Sequence, residues 1–156
     1  MILKPLDRAL KDNDPIRALV KGTGIGQDGR TKGITMPNGA AQSSLIKSVY
    51  ERSHLDPDQT GYVEAHGTGT AVGDPIEASA LHEVFSLHRK ESDPLFVGSV
   101  KSNVGHLEGA SGVISVIKTA MMLQKGWILP NYDFETPNQK IPMEGWNLEV
   151  CTCHNR

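Results

Sequence analysis

His66 and His106 each end a β-branched apolar run and stand in a glycine-rich turn. The first lies in Tyr62-Val-Glu-Ala-His-Gly-Thr-Gly-Thr70, the second in Val97-Gly-Ser-Val-Lys-Ser-Asn-Val-Gly-His-Leu-Glu-Gly109. One imidazole at a strand end is more often structural than functional; the repeat of the pattern is what points to chemistry. Lys101, five residues before His106, and Glu108, two after it, can fix the imidazole's tautomer, orientation and charge, or form a surface ion pair beside it. Thr68 and Thr70 offer hydroxyls either to a ligand or to the backbone of their own turn. Two histidines also suit a metal, but no third ligand stands at a recognisable spacing. His82-Glu83 lacks the second histidine of H-E-x-x-H, because Ser86 occupies that position. Cys151-Thr-Cys153-His154 has ligand types in a tail beyond the last patterned segment, expected to be loosely packed and metal-free. His54, His82 and His88 read as exposed helix residues.

The elements that would position the two imidazoles follow from periodicity and punctuation. Gly61–Ala65 and Leu95–Val100 read as strands, each delivering its histidine to the sheet's C-terminal edge, where open α/β sheets bind ligands. Two such strands can aim both imidazoles at one cleft. Asp74-Pro-Ile-Glu77 predicts a helix start, with Asp74 as cap, proline at the first helical position and glutamate three residues after the cap. Asn38 predicts the cap of a helix carrying Ala41, Leu45, Ile46 and Val49 on one face. Gly109–Gln124 is apolar nearly all round and predicts a buried helix closed by Gly126. Leu6–Leu10 suits a short helix, Ile16–Lys21 a strand and Asn147–Val150 another. Gly24-Ile-Gly-Gln-Asp-Gly29 fits the dinucleotide pattern G-x-G-x-x-G, but no helix opens at its third glycine to receive a pyrophosphate, so a rim loop is expected. Alternating strands and helices define the class as α/β, a layered sheet with helices on its faces.

With 156 residues the chain fits one domain burying about two thirds of its unfolded surface. Net charge is −2, with signs interspersed, which gives no footing for a nucleic-acid or membrane-surface partner. No apolar run approaches the roughly 20 residues that span a bilayer. Both cysteines come late, so no disulfide framework staples a core, and a cytoplasmic setting is expected. Ile2 and Leu3 read as the end of a strand barely entered. Three or four strands would give the apolar helix too little cover. The first feature hints at truncation and the second that part of the fold lies elsewhere.

Glu64-Ala-His-Gly-Thr-Gly-Thr-Ala-Val-Gly-Asp-Pro-Ile-Glu77 and Lys101-Ser-Asn-Val-Gly-His-Leu-Glu-Gly-Ala110 resemble the two histidine motifs of the β-ketoacyl synthases. The flanks Leu3-Lys-Pro-Leu6, Gly26-Gln-Asp-Gly29 and Met36-Pro-Asn-Gly-Ala-Ala-Gln42 are similar to ketosynthase domains of type I polyketide synthases, fungal ones most closely. The resemblance covers residues 1–150, with 151–156 unlike the family. It implies a thiolase-like fold layered α-β-α-β-α, present here in part: the end of the first half and most of the second. It implies decarboxylative Claisen condensation of a malonyl-type (or methylmalonyl) thioester with an acyl thioester. His66 and His106 would donate to the malonyl thioester carbonyl, Lys101 and Glu108 would set charge and orientation around His106, and Thr68 and Thr70 would hydrogen-bond the phosphopantetheine amides. The family's nucleophilic cysteine falls upstream of anything present, and its closing glycine-rich hairpin is replaced by Cys151–Arg156. The implied partners are an acyl carrier protein or domain, other domains of a type I synthase and, for the complete domain, a second copy. The chain itself would bind no metal or redox cofactor. A catalytically silent fragment that partners a full subunit, or a non-decarboxylating enzyme of the same fold, are the alternatives.

Overall fold

The computed structural model describes residues 1–31, 33 and 36–152. Its centre is a parallel sheet in the order β1 (Tyr62–Glu64), β2 (Leu95–Gly98), β3 (Leu148–Val150). Tyr62, Val63 and Glu64 stand opposite Phe96, Val97 and Gly98, and Leu95 and Val97 stand opposite Leu148 and Val150. Parallel neighbours require crossovers. The first carries α3 (Gly73–Leu81) and a π-helical turn at His82–Ser86; the second carries α4 (Lys101–Val104) and α5 (Ser111–Lys125). Before the sheet come α1 (Leu6–Lys11) and α2 (Gly39–Arg52).

Side chains alternate across the pleat, and the two faces have different company. Val63, Leu95, Val97 and Leu148 pack with Leu81, Val84 and Phe85 into the core, against Ile46 and Tyr50 of α2. Tyr50 and Phe85 meet edge to face at 5.2 Å. Tyr62 and Glu64 point the other way, where Lys118 of α5 reaches both. Gly98 stands opposite Glu64, and its bare Cα leaves room for the Tyr62 hydroxyl, which would lie 2.7 Å from any Cβ there.

Asn38 caps α2 by accepting from the Ala41 N–H at 3.1 Å, and Gly126 ends α5 in the left-handed region at φ 67°, both as the sequence predicts. Three expectations are corrected. Residues 2–3 and 16–21 form no strand: alternation alone cannot make one without a neighbour to hydrogen-bond, and the described sheet ends at β1 and β3. Helix α5 is not buried all round, since Val113, Val116, Met121 and Leu123 are exposed. Cys151 is not loosely packed: it is 2% exposed, its Sγ lies 3.9 Å from the Ile128 carbonyl, and its own carbonyl accepts from the Asn131 N–H. Cys153 and His154 lie outside the described residues.

Candidate active site

The His66 turn leaves β1 directly, but the expected strand Leu95–Val100 stops at Gly98, and His106 follows only after the short helix α4. Because β1 and β2 are adjacent and parallel, both histidines still come to the same edge of the sheet. The imidazoles of His66 and His106 come to 5.4 Å between ring centroids, nearly perpendicular at 87°. Both residues are exposed. Beside them opens a cleft of about 750 Å³ lined by Thr68, Lys101 and His106, with Phe134, Asn138 and Met143 among its further walls.

The turn after β1 is held by carboxylates. Glu77 accepts from the His66 N–H at 2.6 Å and the Gly67 N–H at 2.9 Å. Asp74 accepts from the Gly69 and Thr70 N–H groups at 3.2 and 3.3 Å. Asp74 is therefore not the helix cap the sequence predicts. Helix α3 already includes Gly73, and both acids reach back to four N–H groups that the tight turn leaves unpaired. Gly67 has φ 47°, and a Cβ there would fall 2.7 Å from that of Ser99, so glycine is required twice over. Ser99 in turn donates its hydroxyl to the His66 carbonyl at 3.4 Å, joining the first cassette to the second.

His106 is oriented by backbone. The Glu108 N–H donates to its Nδ1 at 3.0 Å, and the Ser111 hydroxyl approaches the same nitrogen at 3.1 Å. An N–H can only donate, so Nδ1 is an acceptor and, in the neutral ring, the proton sits on Nε2. Glu108 meets His106 through its main chain, at a left-handed φ of 49° that brings the N–H round. Lys101 opens α4 and lines the cleft. Thr68 lines it too, whereas the Thr70 hydroxyl accepts from the Gly73 N–H at 3.0 Å and helps start α3. His82, expected to be exposed, instead stacks on Trp146 at 5.4 Å and bonds Ser86 and the Trp146 carbonyl.

Sequence reasoning missed Glu64 and Lys118. Their side chains are 6% and 9% exposed and pair at 2.7 Å behind the histidine turns. The signal was a lone glutamate in an otherwise apolar strand and a lone lysine in the apolar helix 110–123. The Tyr62 phenol beside them is pushed far up, first by its own burial and then by its hydrogen bond to Glu64.

A parallel α/β sheet whose C-terminal edge gathers a histidine pair, one from the end of β1 and one from the turn after α4, defines a class, and comparison with known proteins gives the family. Residues 17–135 match the family described as beta-ketoacyl synthase, C-terminal domain, and the chain belongs to it. It is 60% identical over 152 residues to highly-reducing polyketide synthase 1 of Aureobasidium melanogenum, covering 97% of this chain and 7% of that one. Reducing polyketide synthase PKS1 of Cochliobolus heterostrophus is 59% identical, with 97% and 6% covered. Among solved structures, the ketosynthase from module 6 of the bacillaene synthase of Bacillus subtilis superposes with a TM-score of 0.91 at 40% identity, over 97% of this chain and 27% of that one. The fold is thus thiolase-like, and the chain spans under a tenth of those two curated relatives and about a quarter of the solved ketosynthase.

Proposed function

We propose that His66 and His106 form the oxyanion-binding pair of a decarboxylating ketosynthase. The observation that carries this is the meeting of the two imidazoles at 5.4 Å, with the Nδ1 of His106 held by a backbone N–H. Nε2–H is then the donor left for a ligand. As carbon dioxide leaves a malonyl-type thioester, negative charge gathers on the thioester oxygen. Two N–H donors aimed at that oxygen stabilise the enolate, each worth about 3 kcal/mol. Lys101 adds positive charge on the cleft side, and Glu108 holds His106 through its backbone.

The phosphopantetheine arm of a carrier protein delivers the thioester; it supplies a long tether and a thioester whose carbonyl can take up charge. The cleft fits such an arm, since apolar Phe134 and Met143 suit its methylenes while Thr68 and Asn138 suit its amides. Thr70, set in the turn, retains a hydroxyl proton for a second amide contact. Cys151 is buried and does not line the cleft, which speaks against it as the acyl-accepting thiol; the family resemblance puts that thiol in a motif upstream of this chain's own. The setting is a multidomain synthase of the cytoplasm whose complete ketosynthase domain pairs with a second copy. No helix among the described residues is long and apolar enough to cross a membrane.

The test measures carbon dioxide release and primer acylation separately in the full-length protein carrying this chain. His66→Ala and His106→Ala should each slow release by roughly a hundredfold or more while leaving acylation less affected. Thr68→Ala should raise KM for the carrier-borne substrate more than it lowers kcat. Release at the wild-type rate by His66→Ala would exclude the role given to it.

A further inference from the structure

Resting on the histidine-pair reading, we propose that the buried Glu64–Lys118 pair is a positioning device that sets the relation between the two imidazoles. Glu64 lies on β1 two residues before His66. One of its carboxylate oxygens accepts from the Val100 N–H at 2.6 Å, the backbone group at the entry to α4 and Lys101. The other accepts from Lys118 Nζ at 2.7 Å and from the Tyr62 hydroxyl. Lys118 also donates to the Tyr62 oxygen at 2.9 Å. Lys118 stands seven residues, about two helical turns, beyond Ser111, whose hydroxyl meets His106. A single carboxylate therefore ties the strand that delivers His66 to both elements that flank His106.

The connection is stiff. Both charged groups are withdrawn from water, where a charge-assisted bond has little freedom to exchange partners. The phenol of Tyr62 stays a neutral donor, its acidity suppressed by burial and by Glu64, so the carboxylate keeps three partners. No atom of the pair is needed in the cleft, and neither residue lines it. An ion pair kept for stability alone can often be exchanged for neutral or apolar groups of similar volume at little cost. This one differs in joining the three segments whose relative placement the proposed chemistry depends on.

That difference defines the experiment, in the full-length protein with a malonyl-carrier thioester as probe. Carbon dioxide release and thermal melting are measured for Lys118→Met, Lys118→Arg, the double variant Glu64→Gln/Lys118→Met, and His66→Ala as reference. Displacing a reacting arrangement by about 1 Å costs on the order of a hundredfold. Folded Lys118→Met and the double variant should thus lose roughly tenfold to a hundredfold in kcat, with KM for the thioester held within about twofold. Lys118→Arg should recover most of the rate. If Lys118→Met does not fold, the double variant, which leaves no unpaired buried charge, decides the matter. A folded double variant with wild-type kcat, or one whose loss lies in KM, overturns the proposal. So does failure of both the double variant and Lys118→Arg to fold, which would make the pair a folding element. In those cases a slow His66→Ala leaves the histidine-pair reading standing; a wild-type rate in His66→Ala removes both.

Discussion

At the scale of residues, the sequence displays side chains, and part of this site is made of main chain. The pair His66 and His106 was legible because the same glycine-flanked pattern occurs twice. The part played by Glu108 was not, because a carboxylate two residues from a histidine invites an electrostatic reading. What the structure uses is the Glu108 N–H, turned toward Nδ1 by a φ of 49°. A left-handed residue with a Cβ is strained by about 1–2 kcal/mol relative to the right-handed region, and no propensity scale marks where that happens. Glu108→Gly keeps the N–H and removes the strain. Carbon dioxide release should stay within about twofold of wild type, against the roughly hundredfold that loss of an oxyanion donor costs. A tenfold fall in Glu108→Gly would return the role to the carboxylate.

At the scale of elements, prediction succeeded where local chemistry and periodicity agree. Asn38 and its apolar face specify α2, and the small apolar run closed by Gly126 specifies α5. The strands read around Val63 and Val97 form and find each other as parallel neighbours, though both are shorter than their apolar runs. It failed where an element needs a partner that the sequence does not show, as at residues 16–21. It also misassigned Asp74-Pro-Ile-Glu77. The pattern is a sound helix start, yet its acids serve the preceding turn, which competes for them with four unpaired N–H groups. Helix α3 is in effect the anvil on which the first histidine turn is shaped. Glu77→Ala strips partners from the His66 and Gly67 N–H groups, where hydrogen bonds to a charged acceptor contribute about 1.5–3 kcal/mol each. The expected outcome is a melting temperature lowered by several degrees and carbon dioxide release reduced at least tenfold, while Glu77→Gln, which keeps one strong acceptor, falls between. A Glu77→Ala protein with wild-type rate would show that the turn holds its shape without the clamp.

At the scale of the whole molecule, the layer on one face of the sheet is closed into a core, while α5 on the other face leaves its outer side open. The core lies between the sheet, α2, α3 and the π-helical turn. On the far side Lys118 of α5 bonds Tyr62 and Glu64, and α5 turns Val113, Val116, Ile117 and Met121 outward. Those four recur at helical spacing and form one stripe. The same chain superposes on about a quarter of a solved ketosynthase. A contiguous apolar stripe of this kind on a soluble chain drives association unless something lies over it. The isolated 156-residue chain should therefore sediment as a concentration-dependent mixture of oligomers and melt over a broad range. Met121→Glu puts a charge in the middle of the stripe without touching the core below the sheet, so it should shift the distribution toward monomer while leaving the circular dichroism unchanged. If the unmodified chain instead sediments as one monomeric species and unfolds in a sharp, reversible transition, the stripe is covered from within and the open face described here is wrong.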